Sequence, residues 1–127
     1  MNKEKNKIPL AKLALYTKLV EANSQVEQKG ATMPYTAVNG NMFSFLNEDG
    51  LLALRLPEKE REEFMSEYNT SLMEAHGIVM KEYVLVPEEL FKNTKKVKKY
   101  FDLSYNYAKS LKAKTSKKTK SIKKKNK

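Results

Sequence analysis

The chain has 127 residues, 40% of them hydrophobic and 31% charged, and no cysteine, so disulfides and thiolate metal sites are excluded and one domain is the expected size. Its formal net charge is +10, yet ten of its 25 basic residues are the lysines between 109 and 127, a stretch without an acid, and the other 15 are balanced by 15 Asp and Glu. The body is therefore electrically neutral, and the basic character belongs to the C-terminal end rather than to the folded surface. No run approaches the roughly 20 apolar residues of a membrane span, so no membrane partner is expected, and a cysteine-free chain fits a reducing cytoplasm.

Residues 1–7 read as a flexible N-terminus. From Ile8 to about Gln28 the positions Leu10, Leu13, Tyr16, Thr17 and Val20, with Ala14 and Leu15 beside them, recur at three- and four-residue spacing. This predicts a helix packed on one face, with Pro9 in its first turn and Gly30 just past its end. Lys12 and Lys18 interrupt the apolar run, which argues against a secretory signal.

Between Thr32 and Leu56 the runs MPYTAV, NMFSFLN and LLALRL are separated by Asn39-Gly40 and Glu48-Asp49-Gly50. Asn-Gly and Asp-Gly tolerate the positive φ angles of tight primed turns, so a three-stranded antiparallel meander is expected. Simple alternation places Phe43 and Phe45 on one face, and Leu52, Leu54 and Leu56 on one face of the next strand. Pro57 then opens a short charged helix whose acids cluster early, with Phe64, Met65 and Tyr68 as its core contacts. SLMEAH, the turn residue Gly77 and MKEYVLV read as two more strands closed by Pro87. A final helix, capped by Asn93 or Thr94, runs to about Leu111, with Val97, Tyr100, Phe101, Ser104, Ala108 and Leu111 on one side and Lys95, Lys96, Lys98 and Lys99 on the other. The body is assigned to 8–113. Residues 114–127 hold one apolar residue, Ile122, and are expected to be disordered in isolation.

The order helix, three strands, helix, two strands, helix resembles the N-terminal domain of the TfoX/Sxy family. The resemblance runs from Lys29-Gly30 through ATMPYTAVNGNMFSFLNEDGLLALRLPEKEREEF and VMKEYVLVPEEL to YFDLSYNYAKSL. Its most telling elements are Met42-Phe43 after the Asn-Gly turn, Leu54-Arg55-Leu56-Pro57, Met80-Lys81 leading to Val86-Pro87, and the closing Tyr-Ala-Lys-Ser-Leu. The resemblance implies a two-layer α+β fold, a five-stranded antiparallel sheet with helices packed on it, similar to secretion chaperones. It also implies a bacterial source and an association with competence-gene regulation, though the sequence has a lysine tail where longer members carry a second helical domain.

Catalytic and ligand motifs are missing from the sequence. His76 is the only histidine, and it adjoins a turn glycine, where a structural or solvated role is expected. The acid pairs Glu62-Glu63 and Glu88-Glu89 sit in or beside helix starts, where the helix dipole favours acids. No phosphate-loop, dinucleotide or zinc-hydrolase motif occurs, so no cofactor, no metal and no catalytic residue is assigned. Arg55, at a strand end, and Lys81 form a possible anion or ion-pair site, with Glu58 or Glu62 the expected partners of Arg55. The candidate nucleic-acid contacts are Lys109, Lys112, Lys114, Lys117, Lys118, Lys120, Lys123, Lys124, Lys125 and Lys127, which suit non-specific phosphate binding, with Tyr105 and Tyr107 placed to add stacking. The functional expectation is a non-enzymatic TfoX-like regulatory or interaction domain with weak nucleic-acid binding through its tail. The alternative is a protein-interaction module or homodimer, using apolar meander positions such as Met33, Tyr35 and Met42.

Overall fold

The computed structural model describes residues 8–30 and 32–112, so the expected flexible start and lysine-rich tail (114–127) lie outside the described residues. The elements, in chain order, are α1 (Leu10–Glu21), β1 (Tyr35–Val38), β2 (Asn41–Leu46), β3 (Leu52–Arg55), α2 (Glu58–Tyr68), β4 (Leu72–Ala75), β5 (Ile78–Val86), α3 (Glu88–Phe91) and α4 (Thr94–Ser110). All strand pairs are antiparallel and form one sheet in the order β1-β2-β3-β5-β4. The expected α+β architecture is present.

Local chemistry sets most boundaries. Asn39 (φ 54°) and Gly40 (φ 79°) make the tight β1–β2 turn, and His76 (φ 55°) and Gly77 (φ 78°) make the β4–β5 turn in the same way. The Asn93 side chain accepts a hydrogen bond from the Lys96 amide and caps α4, satisfying one of the amides a helix start leaves free. Pro57 and Pro87 immediately precede α2 and α3, each followed by glutamates in the first turn.

Helices cover one face of the sheet. Tyr16, Leu19 and Val20 of α1, Phe64 of α2, Leu90 and Phe91 of α3, and Val97, Phe101 and Ala108 of α4 share a core with Phe43, Leu46, Leu52, Leu54, Leu56, Val84 and Val86. Phe43 meets Phe101 and Tyr105 edge-on, at 5.5 and 5.7 Å, and Phe64 meets Tyr100 edge-on at 4.9 Å, the arrangement that ring quadrupoles favour. On the other face Phe45, Ala53 and Met73 are buried under Tyr35, Met42, Met80, Tyr83 and Leu85, all of them on strands.

Several expectations are corrected. Phe43 and Phe45 do not share a face: Thr36 pairs with Ser44 but Ala37 with Met42, so Phe43 is an extra residue that resets the alternation. That bulge sends Phe43 into the helix-side core and Phe45 to the opposite cluster. Asp49-Gly50 is not a two-residue primed turn. Only Gly50 has positive φ, and the Asn47 side chain accepts hydrogen bonds from the Asp49 and Leu51 amides, closing a longer loop. The first helix stops at Glu21, not near Gln28, and its N-terminal apolar residue Leu10 is 78% exposed while Leu19 is fully buried. Within α1 the apolar residues join the core only from Leu13 onward, so periodicity places the stripe one turn too early. The one-turn helix α3 carries no signal in the sequence pattern, and β5 starts at Ile78, before the MKEYVLV run.

Polar groups brought inside by this packing are largely paired. Tyr16 Oη lies 2.7 Å from Ser44 Oγ, which also hydrogen-bonds Thr36 Oγ1, so α1 is tied through the core to β2 and β1. Burial drives the Tyr16 phenol up to about 12, against the opposing pull of its two hydroxyl neighbours.

Candidate functional site

Arg55 is the last residue of β3, beside Tyr83 of β5 in the ladder. Its Nε donates to Glu82 Oε1 at 2.7 Å and its Nη1 to the Met42 carbonyl at 3.4 Å. The guanidinium lies 5.8 Å from the ring centroids of both Tyr83 and Tyr107. Tyr107 Oη donates to Glu82 Oε2 at 3.2 Å and Tyr83 Oη to the Met42 carbonyl at 2.8 Å. One cation thus joins β2, β3, β5 and α4, and its side chain is only 17% exposed.

The expected partners Glu58 and Glu62 are not used. Antiparallel pairing of Arg55 with Tyr83 carries Glu82 alongside instead. Burial alone would raise the Glu82 carboxyl, but the hydrogen bond and charge of Arg55, helped by Tyr107 and Arg61, hold it below the usual carboxylate range. Tyr107 is shifted upward, by burial first and then by the Glu82 charge. Arg55 already has a carboxylate partner through Nε and lies against two aromatic rings, so the ion pair with Glu82 is the interaction this arrangement builds. Lys81 is exposed and makes no ion pair among the described residues.

The other titratable candidates are dispersed. His76 is an exposed turn residue with left-handed backbone. Glu63 pairs with Lys59 at 3.4 Å, and Glu88 pairs with Lys12 at 3.0 Å, whose hydrogen bond and charge lower the Glu88 carboxyl. Among the described residues no three acids or histidines come together as a metal cluster, and no helix is long and apolar enough to cross a membrane.

Positive charge gathers along α4. Lys95, Lys96 and Lys99 are exposed on its outer side, and Lys109 and Lys112 continue toward the C-terminal lysines. Lys98 is neutralised by Asp102 at 2.6 Å, an i,i+4 pair. The tyrosines expected to stack are engaged within the fold. Tyr105 packs on Phe43, donates to Gln25 Oε1 at 2.9 Å and carries Lys109 Nζ over its ring at 5.7 Å; Tyr107 faces Arg55. Of the candidate nucleic-acid contacts, Lys109 and Lys112 are exposed at the end of α4, with the Lys112 carbonyl held by Asn41 Nδ2 at 3.2 Å. Lys114, Lys117, Lys118, Lys120, Lys123, Lys124, Lys125 and Lys127 lie outside the described residues.

These features define a small two-layer α+β domain whose most connected polar cluster is a structural cross-link and whose longest run of cations without an ion pair among the described residues follows α4, with Lys18, Arg61 and Lys81 elsewhere. No protein-family model matches the chain, and no curated protein is detectably similar to it.

Proposed function

We propose that the chain is a non-enzymatic, TfoX-like regulatory domain of the bacterial cytoplasm that holds nucleic acid weakly, without sequence preference, through lysines 109 to 127 together with the outer side of α4. The observation that carries this reading is the segregation of charge. Ten lysines without an acid follow an electrically balanced body, and α4 leads into them with Lys95, Lys96 and Lys99 exposed. Such an array gains affinity by releasing counterions from phosphate, a gain that salt erases. The dispersal of His76 and the acid pairs supports the non-enzymatic part, because acid–base and nucleophilic catalysis need partners within hydrogen-bond reach.

The test is DNA and RNA binding by the full chain over a salt series, beside a variant carrying Lys120→Gln, Lys123→Gln, Lys124→Gln and Lys125→Gln. Every phosphate that a lysine no longer neutralises should lower the slope of log K against log salt by about 0.9, so the slope of the variant should fall by up to about 3 to 4. Unchanged binding by the variant, or no binding by the unaltered chain, overturns the reading.

A second reading, a protein-interaction module, is favoured by the strand-only apolar face built on Phe45, Ala53 and Met73 with Tyr35 and Met42 packed on it, and by Met33, which is 48% exposed. Sedimentation at several concentrations separates the two, since self-association through that face would raise the mass while leaving the salt slope unchanged.

A further inference from the structure

The two edges of the sheet are unlike. On the β1 side Lys29 caps the edge: its amide donates to the Tyr35 carbonyl at 2.8 Å and its carbonyl accepts from the Tyr35 amide at 3.0 Å. On the β4 side no such cover exists among the described residues, and β4 pairs with β5 alone. Beside this open edge runs a groove of about 610 Å³ between β4 and α2, lined by Met65, Ser66, Thr70, Leu72, Glu74 and Val79. Val79 is 46% exposed there.

The rim of the groove is acidic. α2 carries five glutamates against Lys59 and Arg61; Lys59 is paired with Glu63, and Arg61 donates to the Leu56 carbonyl at 2.9 Å. Glu58 and Glu62 lie on the same helical stripe as Met65 and Ser66, which line the groove, and Glu74 stands on the strand side. Glu58, Glu62 and Glu74 are exposed and make no ion pair among the described residues. An open strand edge, an apolar floor and an acidic rim together fit an extended, basic segment with one apolar residue, bound by strand addition.

The chain contains one such segment. Residues 118–124 read Lys-Thr-Lys-Ser-Ile-Lys-Lys, and Ile122 is the only apolar residue after Ala113. In an extended conformation Lys120, Ile122 and Lys124 fall on one side, about 6.6 Å apart, so the isoleucine can meet Met65 and Leu72 while the lysines flank it toward Glu62 and Glu74. Reach is sufficient. The Lys112 carbonyl is held at the start of β2, three strand spacings or about 14 Å from β4, and the ten residues from Lys112 to Ile122 span up to about 33 Å.

We propose that the groove between α2 and the free edge of β4 is the docking site for this chain's own C-terminal segment around Ile122. Docking holds the lysines against the acidic face of α2 and closes the sheet edge that the described residues leave uncovered. It draws on lysines that the nucleic-acid reading also uses, but its readout contains no nucleic acid, so the failure of one is distinguishable from the failure of the other.

The absence of cysteine allows a single spin label through Ser116→Cys in the full chain. For a tethered segment the effective concentration is on the order of 1 mM, so a docking constant of similar size places about half of the molecules in the groove. The amide signals of Leu72, Glu74, Ser66 and Val79 should then lose intensity selectively, unchanged on dilution, and recover with added salt, with Ile122→Ser, and with Glu62→Lys combined with Glu74→Lys. Ile122→Ser changes no charge and replaces no residue of the described core, so it tests docking without threatening the fold. Broadening spread evenly over the surface, broadening that vanishes on dilution, or broadening indifferent to Ile122→Ser overturns the proposal.

Discussion

Replacing Arg55 by methionine removes the cation while keeping most of its alkyl length, and the structure sets the size of the effect. The charged hydrogen bond to Glu82 contributes about 1.5 kcal/mol, the low end of its range because water can reach the Glu82 side chain, which is 37% exposed. The two ring contacts add about 0.5 kcal/mol each. The Met42 carbonyl keeps its bond from Tyr83, so no buried acceptor is orphaned. The expected loss is about 2.5 kcal/mol, or about 10 °C in Tm for a domain of this size. Because Arg55 holds the Glu82 carboxyl below its unfolded value, the pair's stabilisation is present above the unfolded carboxylate pKa and disappears as pH falls through the folded one. Urea melts of the wild type and of Arg55→Met should show a gap that narrows in acid toward the roughly 1 kcal/mol of the two ring contacts, and in a double-mutant cycle with Glu82→Gln the coupling should vanish once the Glu82 carboxyl is neutral. A loss below about 0.5 kcal/mol at neutral pH, the value of an ordinary exposed ion pair, or a gap that does not narrow in acid, refutes the reasoning.

Tyr16→Phe should cost about 1 kcal/mol at neutral pH in urea melts, since Ser44 keeps Thr36 as partner. The Tyr16 phenol is raised from 10.0 to about 12, so its contribution is complete below the unfolded value and is lost as pH climbs through the folded one; the variant should lack that alkaline decline. Phe64→Ala should cost about 4 kcal/mol by the same assay, because the ring is 1% exposed and packs on both Tyr68 and Tyr100. Gly30→Ala should cost more than Gly77→Ala in thermal melts. Both have positive φ, worth about 1–2 kcal/mol against a side chain, but a Cβ at Gly30 would overlap the Met33 carbonyl oxygen whereas Gly77 opens on empty space.

Much of the candidate chemistry is legible in one dimension, and its partners are not. The lysine array and the exposed outer side of α4 follow from composition and helical period. Arg55 stands out as an arginine at a strand end, but its carboxylate lies 27 residues away and is reachable only through the β3–β5 pairing. A larger separation, 52 residues from Arg55, hides the use of Tyr107, whose aromatic face looks available for stacking until α4 is laid across the sheet. The groove beside β4 cannot be read at all, because it exists only where two elements leave a gap.

The sequence by itself determined where many elements begin and end, because those decisions rest on neighbours a few residues apart: Asn39-Gly40 turns, Asn93 caps, Pro57 opens a helix, Pro87 closes a strand, and Leu52, Leu54 and Leu56 share a face. Tertiary structure alone decided that β5 rather than β4 lies against β3, that Phe43 bulges so its ring joins the helix-side core, and that Leu10 stays in solvent while Leu19 is buried. Those outcomes depend on which faces must be covered together by the whole packed sheet, a condition that no short window of the chain contains.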